Sequence, residues 1–153
     1  MSDVFKIVHE PDERLHQRCD EIDIITDEIK NIIEKMKLTL AKNGGGVGLA
    51  APQVGILKRV VILCFKIGKD KYTKPFPMIN PQILSFSQET QIDEEGCLSI
   101  PDFYSDIARY KKITVKYQNL KGEVIEKTLE EFDSRVVQHE IDHLNGILMT
   151  DRV

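Results

Sequence analysis

The most informative segment of this chain is Gln138-His139-Glu140-Ile141-Asp142-His143, because it predicts both a helix and the chemistry of one face of that helix. Helical residues four positions apart lie about 40° from each other, so His139 and His143 can direct their imidazoles at one metal ion. Glu140 lies beside that ion, where its carboxylate can take a proton from a metal-bound water. The spacing therefore predicts a hydrolytic metal site.

The helix that carries these residues is predicted to begin near Leu129 or Glu130. It is predicted to end near Asn145-Gly146, because glycine is common just after the last turn of a helix. Apolar residues recur at helical spacing along it and should face the core. They are Phe132, Val136, Val137, Ile141 and Leu144.

An earlier amphipathic helix is predicted from the N-cap Thr26 to about Lys42, and Asn43-Gly44 should end it. Its apolar face is formed by residues three and four positions apart. They are Ile29, Ile32, Ile33, Met36 and Leu40. The apolar run over 59–65 that follows is typical of a buried strand.

A hairpin is predicted over 113–129, because apolar residues alternate on both sides of a turn at Lys121-Gly122. One helix before several strands and another after them favours the α+β class. We expect a single compact domain over 1–153. Antiparallel or mixed β-sheets should pack around the C-terminal metal-binding helix.

The predicted metal site needs a further ligand, because a catalytic metal usually takes three protein ligands and keeps one position for water. A longer form of the motif has a third His six residues after the second, but that position is Met149. Another form uses a Glu on a later helix, for which too few residues follow His143. The third metal ligand is therefore expected upstream of the two histidines. Cys97, preceded by Gly96 at the end of an extended run, fits, although a lone Cys is more often a buried apolar residue.

Gly46-Val47-Gly48-Leu49-Ala50-Ala51-Pro52-Gln53 forms a third motif, whose small residues suit a backbone that passes close to a bulky group. Gly46, Gly48 and Ala51 fit the pattern of a dinucleotide-binding loop. However, no strand is predicted before the motif, and Pro52 falls where the phosphate-binding helix should continue. Nucleotide binding is therefore not expected.

The three segments GVGLAAPQ, EGCLS and QHEIDHLNG, in this order, strongly resemble the signature motifs of the peptide deformylases. The resemblance covers most of the chain, from Pro11 to Gly146. It implies a metal-dependent hydrolase that removes the N-formyl group from the N-terminal formyl-methionine of newly made polypeptides. It also implies that Cys97, His139 and His143 hold one divalent metal ion.

By the same resemblance, Glu140 activates the attacking metal-bound water, and Gln53 with the backbone N–H of Leu98 steadies the oxyanion. An ordinary surface glutamine is the alternative for Gln53. Fe²⁺ is the expected native ion. A thiolate with two imidazoles also suits Zn²⁺, Ni²⁺ or Co²⁺.

Substrate binding is predicted at five residues near the metal. They are Val47, Gly48, Gly96, Phe132 and Val136. A pocket bordered by apolar side chains would accept the long, unbranched side chain of methionine. Arg135 is expected on a solvated or salt-bridged helix face. Arg109 is expected to be structural or to hold the metal-site loop by hydrogen bonds.

The composition is that of one soluble domain: 153 residues, 41% hydrophobic and 30% charged. The formal net charge is −4, and no cluster of Lys or Arg alternates with aromatic residues, so direct nucleic-acid binding is not expected. No secretory signal or membrane span is predicted.

The three cysteines form no paired framework, so the cytoplasm is the expected location, with an organelle or a phage-infected host as alternatives. Cys19 and Cys64 are expected to be structural. Many bacterial deformylases continue into a C-terminal helix that docks on the ribosome, and we expect such an extension to be absent after Val153. Two rival hypotheses remain: a peptidase or amidase with a larger substrate, and a metal-binding adaptor without turnover.

Overall fold

The computed structural model describes residues 4–43 and 46–153, which contain two α-helices and nine β-strands. The helices are α1 Asp27–Lys42 and α2 Glu131–Leu144. The strands are β1 Gly48–Ala50, β2 Val60–Leu63, β3 Lys66–Gly68, β4 Lys71–Tyr72, β5 Phe76–Phe86, β6 Thr90–Cys97, β7 Ile100–Tyr110, β8 Lys112–Gln118 and β9 Val124–Glu130. Short 3-10 turns cover Glu13–His16, Ala51–Val54 and Met149–Arg152.

The strands of the described residues form a five-stranded sheet in the order β1-β2-β5-β8-β9 and two separate ribbons, β3–β4 and β6–β7. Every pair of neighbouring strands is antiparallel. An isolated bridge between Asp20 and Lys58 is parallel. The expected α+β class with antiparallel sheets is confirmed.

Strand β2 is buried along its whole length, as its apolar sequence predicts, and it divides the core in two. Val61 and Leu63 pack in a cluster that includes α2 residues, whereas Val60 and Ile62 pack with residues of α1. Side chains alternate across a strand, so this sheet has one helix on each face. Full burial of each such side chain contributes about 1.5–3 kcal/mol, which fixes the register of the strand.

Helix α1 begins as predicted, because the Oγ1 of Thr26 accepts a hydrogen bond from the N–H of Ile29 at 3.2 Å. Ile33, Met36 and Leu40 are its buried apolar residues. Asn43 is its C-cap, and Gly44, predicted to end it, lies outside the described residues.

The β8–β9 hairpin is also confirmed, with Ile113 opposite Leu129 in the register. Gly122 in its turn has φ +77°, a conformation that glycine adopts without strain. Helix α2 follows β9 directly, so the hairpin sets the position of the histidines. Neither α1 nor α2, the α-helices of the part of the chain described, is long and apolar enough to cross a membrane.

Candidate active site

The three candidate metal ligands lie together, although two come from α2 and one from the end of β6. One ligand atom each of Cys97, His139 and His143 lies within 4.8 Å of the others. The Cys97 Sγ is 3.4 Å from the His143 Nε2. Two ligands on a tetrahedral zinc ion are about 3.5 Å apart, given metal bonds of about 2.0–2.3 Å. The spacing of these atoms suits a shared ion.

His139 is held in one orientation by Glu95, whose Oε1 lies 2.9 Å from the Nδ1 of the imidazole. This contact directs the Nε2 toward the cluster, which is how carboxylates commonly orient histidine ligands. Burial alone would lower the pKa of His139, but hydrogen bonds to Cys97 and Glu95 raise it to about 10. In the metal-free protein the ring therefore carries a proton that an incoming ion must displace.

His143 has the opposite electrostatic environment. It is buried, and burial, together with the positive charges of His139 and Arg109, lowers its pKa well below the usual value. Its imidazole is neutral near pH 7, and a neutral imidazole is the form that binds a metal.

Glu140 lies on α2 between the two histidines, and its carboxyl group is buried. Burial raises the pKa of this group to about 7. Its Oε1 is one of two buried side-chain atoms in the described residues that have no hydrogen-bond partner. Gly48 on β1 packs directly against the same carboxylate, and a Cβ at position 48 would overlap it. The carboxylate is thus confined but left free to bond with another molecule.

Gln53 is not a surface residue: only 2% of it is exposed. Its Oε1 accepts a hydrogen bond from the N–H of Ala50 at 2.9 Å, which fixes the direction of the amide. The Nε2 group donates to the Oγ of Ser99 at 3.1 Å and lies 3.6 Å from the Cys97 Sγ. Its donor end therefore lies beside the ligand cluster.

A buried network of charges surrounds Glu95, and most of its members carry no signal in the sequence that predicts a role. Arg109 donates two hydrogen bonds of 2.9 Å to Glu95 and a third, of 2.6 Å, to Asp142. Arg135 donates to Glu95 at 2.5 Å, so this arginine is salt-bridged and buried rather than solvated. Hydrogen bonds from His139 and Arg109 outweigh burial and hold the pKa of Glu95 well below its usual range.

These contacts join the end of β6 to α2, as expected for Arg109. Glu95 belongs to the EGCLS motif and Asp142 to the HEIDH motif, and both were visible in the sequence. Their partners are distant in sequence, so only the fold brings them together. The charged network forms only when both motifs are in place. Because Glu95 is two residues before Cys97 and contacts His139, the network links the positions of these two candidate ligands.

A cavity of about 560 Å³ opens beside the cluster. All five residues expected to bind substrate line it, together with Gln53, Cys97, Leu98, His139 and Glu140. His143 is deeper in the protein and does not line it. One further wall of the cavity, formed by Ile100, Pro101, Phe103 and Tyr104 of β7, was not predicted from the sequence. Strand alternation is too weak there to have predicted that wall.

The residues present fit a divalent ion. They offer one soft sulfur and two imidazole nitrogens, a donor set that suits Zn²⁺, Fe²⁺, Co²⁺ or Ni²⁺. A buried carboxylate oxygen without a partner lies at the same place. A buried polar atom of this kind is expected where another group completes the site.

Known proteins with similar sequences and structures show the family of this chain. A family model described as polypeptide deformylase matches residues 4–153. The peptide deformylase of Thermotoga sp. (strain RQ2) is 45% identical over 139 residues, which are 91% of this chain and 80% of the relative. The crystal structure of peptide deformylase from Thermotoga maritima matches with a TM-score of 0.89 at 43% identity, over 98% of this chain and 97% of that one. The Met-Ala-Ser-bound class I type b peptide deformylase of Acinetobacter baumannii matches with a TM-score of 0.92 at 36% identity and covers 100% of both chains. This chain therefore belongs to the polypeptide deformylase family of enzymes.

Proposed function

We propose that the protein removes the N-formyl group from the N-terminal formyl-methionine of newly made polypeptides and releases formate. The observation that carries the proposal is the free, buried Oε1 of Glu140 in a cavity that also exposes Cys97 and His139. The related Acinetobacter baumannii protein has been crystallised with Met-Ala-Ser bound, which is the deformylated form of a suitable substrate.

Cys97, His139 and His143 would hold one divalent metal ion. Their sulfur and nitrogen atoms are close enough to share it. Fe²⁺ is the native ion that the family resemblance implies, and the donor set also suits Zn²⁺, Ni²⁺ and Co²⁺. When bound, such an ion lowers the pKa of a coordinated water and polarises a carbonyl oxygen.

Glu140 is proposed as the general base and general acid. Its carboxylate takes a proton from the water whose oxygen attacks the formyl carbon. It then delivers a proton to the amine nitrogen as the carbon–nitrogen bond breaks. In the metal-free protein burial raises the pKa of this carboxyl group to about 7, so near neutral pH both its protonated and its ionised forms are accessible.

Gln53 and Leu98 are proposed to stabilise the oxyanion that forms on the formyl oxygen. The Gln53 amide is oriented by Ala50 and Ser99, so its Nε2 group needs little reorganisation during the reaction. Leu98 lines the same cavity and would contribute its backbone N–H. Loss of one such donor typically slows an enzyme by about 10²–10³-fold.

The methionine side chain is proposed to enter the apolar part of the cavity. Phe132 and Val136 lie one turn apart on α2, and Val47 lines the same cavity. Gly48 and Gly96 also line the cavity and are proposed to contact the backbone of the substrate, and the space beside their Cα atoms is filled by Glu140 and Tyr104. A Cβ at Gly96 would lie 2.6 Å from the ring of Tyr104, so this position has no space for a side chain.

Residues 1–153 are proposed to act as one catalytic domain. The two core clusters that pack against β2 include residues of both helices, so they share one sheet. Cys97 and the α2 histidines lie more than forty positions apart in the chain, and their proximity depends on that shared core.

The experiment that tests the function uses protein loaded anaerobically with Fe²⁺ or Ni²⁺ and formyl-Met-Ala-Ser as the substrate. The protein should release formate catalytically, so that each protein molecule converts many substrate molecules. Acetyl-Met-Ala-Ser and a longer unformylated peptide serve as matched substrates for the rival amidase and peptidase activities. Both should remain intact.

Glu140→Gln separates catalysis from metal binding, because Glu140 is not proposed as a ligand. The variant should keep its bound ion and lose turnover by about 10²–10⁴-fold. Absence of formate at every metal loading of the unsubstituted protein would defeat the proposal and favour an adaptor. Loss of the ion from Glu140→Gln would show that its role is misassigned.

A further inference from the structure

The C-terminal 3-10 turn, Met149–Arg152, is fixed against the rest of the protein. Leu148, just before it, is buried and packs in a cluster with Val8, Leu15 and Ile100. The N–H of Leu148 donates to the Oδ2 of Asp151 at 2.9 Å, which caps the turn. The backbone that carries Arg152 is therefore held in place by contacts other than those of its own side chain.

Arg152 makes a bidentate ion pair with Asp142. Its Nε lies 2.5 Å from Oδ2 and its Nη2 lies 2.8 Å from Oδ1. Two parallel hydrogen bonds fix the plane of a carboxylate as well as its position. Asp142 itself lies on α2, directly before His143, and its side chain is only 11% exposed.

The same Asp142 oxygen is shared with the buried network. The Oδ2 atom accepts a hydrogen bond from the Arg109 Nη1 at 2.6 Å. Arg109 donates hydrogen bonds to Glu95, and the Oε1 of Glu95 lies 2.9 Å from the Nδ1 of His139. Arg152 is thus joined to the candidate metal ligand His139 through four successive contacts, with three charged residues between them.

Arg152 differs from the other members of this chain of contacts because its side chain is 43% exposed, whereas that of Arg109 is 2% exposed. Without Arg152, one oxygen of Asp142 loses its partner and the carboxylate can rotate about its bond to Arg109. Arg109 would then lose the fixed geometry with which it holds Glu95. Such outer contacts commonly determine how well a metal ligand is oriented.

We propose that Arg152 is a positioning residue of the metal site, acting through Asp142, Arg109 and Glu95 on the ring of His139. The proposal rests on the metal site of the proposed function. It assigns a role to the C-terminal turn, which lies outside the three motifs that carry the family resemblance. Its effect should be seen in metal affinity, whether or not substrate is present.

The test measures Co²⁺ affinity by competition with a chelator, together with the melting temperature of the metal-free protein. Arg152→Ala should weaken Co²⁺ binding about threefold to tenfold, less than the 10–100-fold typical of direct partners of ligands. Arg14→Ala is the matched control, because Arg14 also binds an aspartate with two side-chain nitrogens, at Asp12, in an exposed pair. It should leave Co²⁺ affinity unchanged while removing a similar ion pair.

Two further variants make the test specific. In an Asp142→Asn background, Arg152→Ala should have little further effect, because the two act as one unit. Arg152→Lys should restore only part of the affinity, since an ammonium group cannot reproduce the two parallel hydrogen bonds.

The proposal is overturned if Arg152→Ala binds Co²⁺ as tightly as Arg14→Ala does. It is also overturned if the effects of Arg152→Ala and Asp142→Asn add fully, or if Arg152→Ala only lowers the melting temperature. Failure of the proposed function looks different. In that case the unsubstituted protein would release no formate at any metal loading, or it would bind Co²⁺ no better than Cys97→Ser does.

Discussion

Gly48→Ala should remove most activity without destabilising the protein, because the added methyl group would occupy space held by Glu140. A Cβ at position 48 would lie 2.8 Å from the Glu140 Cδ and 3.0 Å from its Cγ. Carbon atoms in contact are normally about 3.5–4.0 Å apart, so the carboxyl group must move by about 1 Å. A displacement of about 1 Å from reactive geometry can cost about 10²-fold in rate, equivalent to about 2.7 kcal/mol.

The backbone itself should tolerate alanine, since Gly48 lies in β1 and is not among the glycines with positive φ. Because alanine reduces the conformational freedom of the unfolded chain, it would by itself raise the free energy of unfolding by about 0.4–1 kcal/mol. The cost of moving Glu140 is subtracted from this gain. Gly68→Ala is the matched control, because a Cβ there has its nearest neighbour, in Lys71, at an ordinary 3.7 Å.

The assay is formate release from formyl-Met-Ala-Ser, with metal content and melting temperature measured on the same samples. Gly48→Ala should lower kcat about 10²-fold at full metal content, and Gly68→Ala should behave as the unsubstituted protein does. Glu140→Asp shortens the carboxylate, so adding Gly48→Ala to that variant should cost much less than it does alone. Full activity in Gly48→Ala, or equal losses in both backgrounds, would refute the steric argument.

Three other predictions concern charge and burial. Glu95→Gln should lower the free energy of unfolding by about 3–5 kcal/mol in urea titrations, because it leaves two buried arginines without their shared carboxylate. A shift under about 1 kcal/mol would contradict this. Metal affinity should increase with pH between about pH 7 and 9, by up to tenfold per unit, because the ion competes with a proton on His139, whose pKa is about 10 in the metal-free protein. A pH-independent affinity in chelator competition would show that this proton is absent. In native metal-free protein a disulfide reagent should modify Cys97 alone, because Cys19 and Cys64 are buried and burial raises the pKa of both thiols, that of Cys19 to about 11. Rapid modification of more than one thiol before unfolding would contradict the burial argument.

The features predicted well from the sequence are those set by local chemistry. Thr26 caps α1 because its hydroxyl accepts from an N–H three residues away, and the spacing of His139 and His143 is a property of any helix. Gly146 follows α2 with φ +75°, where glycine is favoured. Each of these signals lies within a few residues and needs no tertiary contact.

The features that were missed depend on long-range packing. Only the family resemblance placed Gln53 at the site, since its own residue type also fits an exposed position; it is buried, and the turn between β6 and β7 brings Ser99 against it. Arg109 lies opposite Gln91 in the register of β6 and β7, and its side chain reaches Glu95 four positions further along β6, a contact that no single-strand pattern specifies. The cavity wall from Ile100 to Tyr104 has mixed polarity and so resembles any exposed strand. The burial of Gln53, the contact between Arg109 and Glu95 and the cavity wall of β7 all depend on tertiary packing, which local sequence propensities do not determine.

The distribution of satisfied and unsatisfied polar atoms also locates the active site. Glu95, Arg109 and Asp142 are buried charges, and each is paired by at least two hydrogen bonds. By contrast, Glu140 Oε1 and His143 Nδ1 are the two buried side-chain atoms without a partner in the described residues. Each costs about 1–3 kcal/mol of stability. Glu140 lines the cavity, whereas His143 lies deeper on the same helix and directs its Nε2, not its Nδ1, toward Cys97. For Glu140 the loss of stability is expected, because its carboxylate must stay available for another molecule.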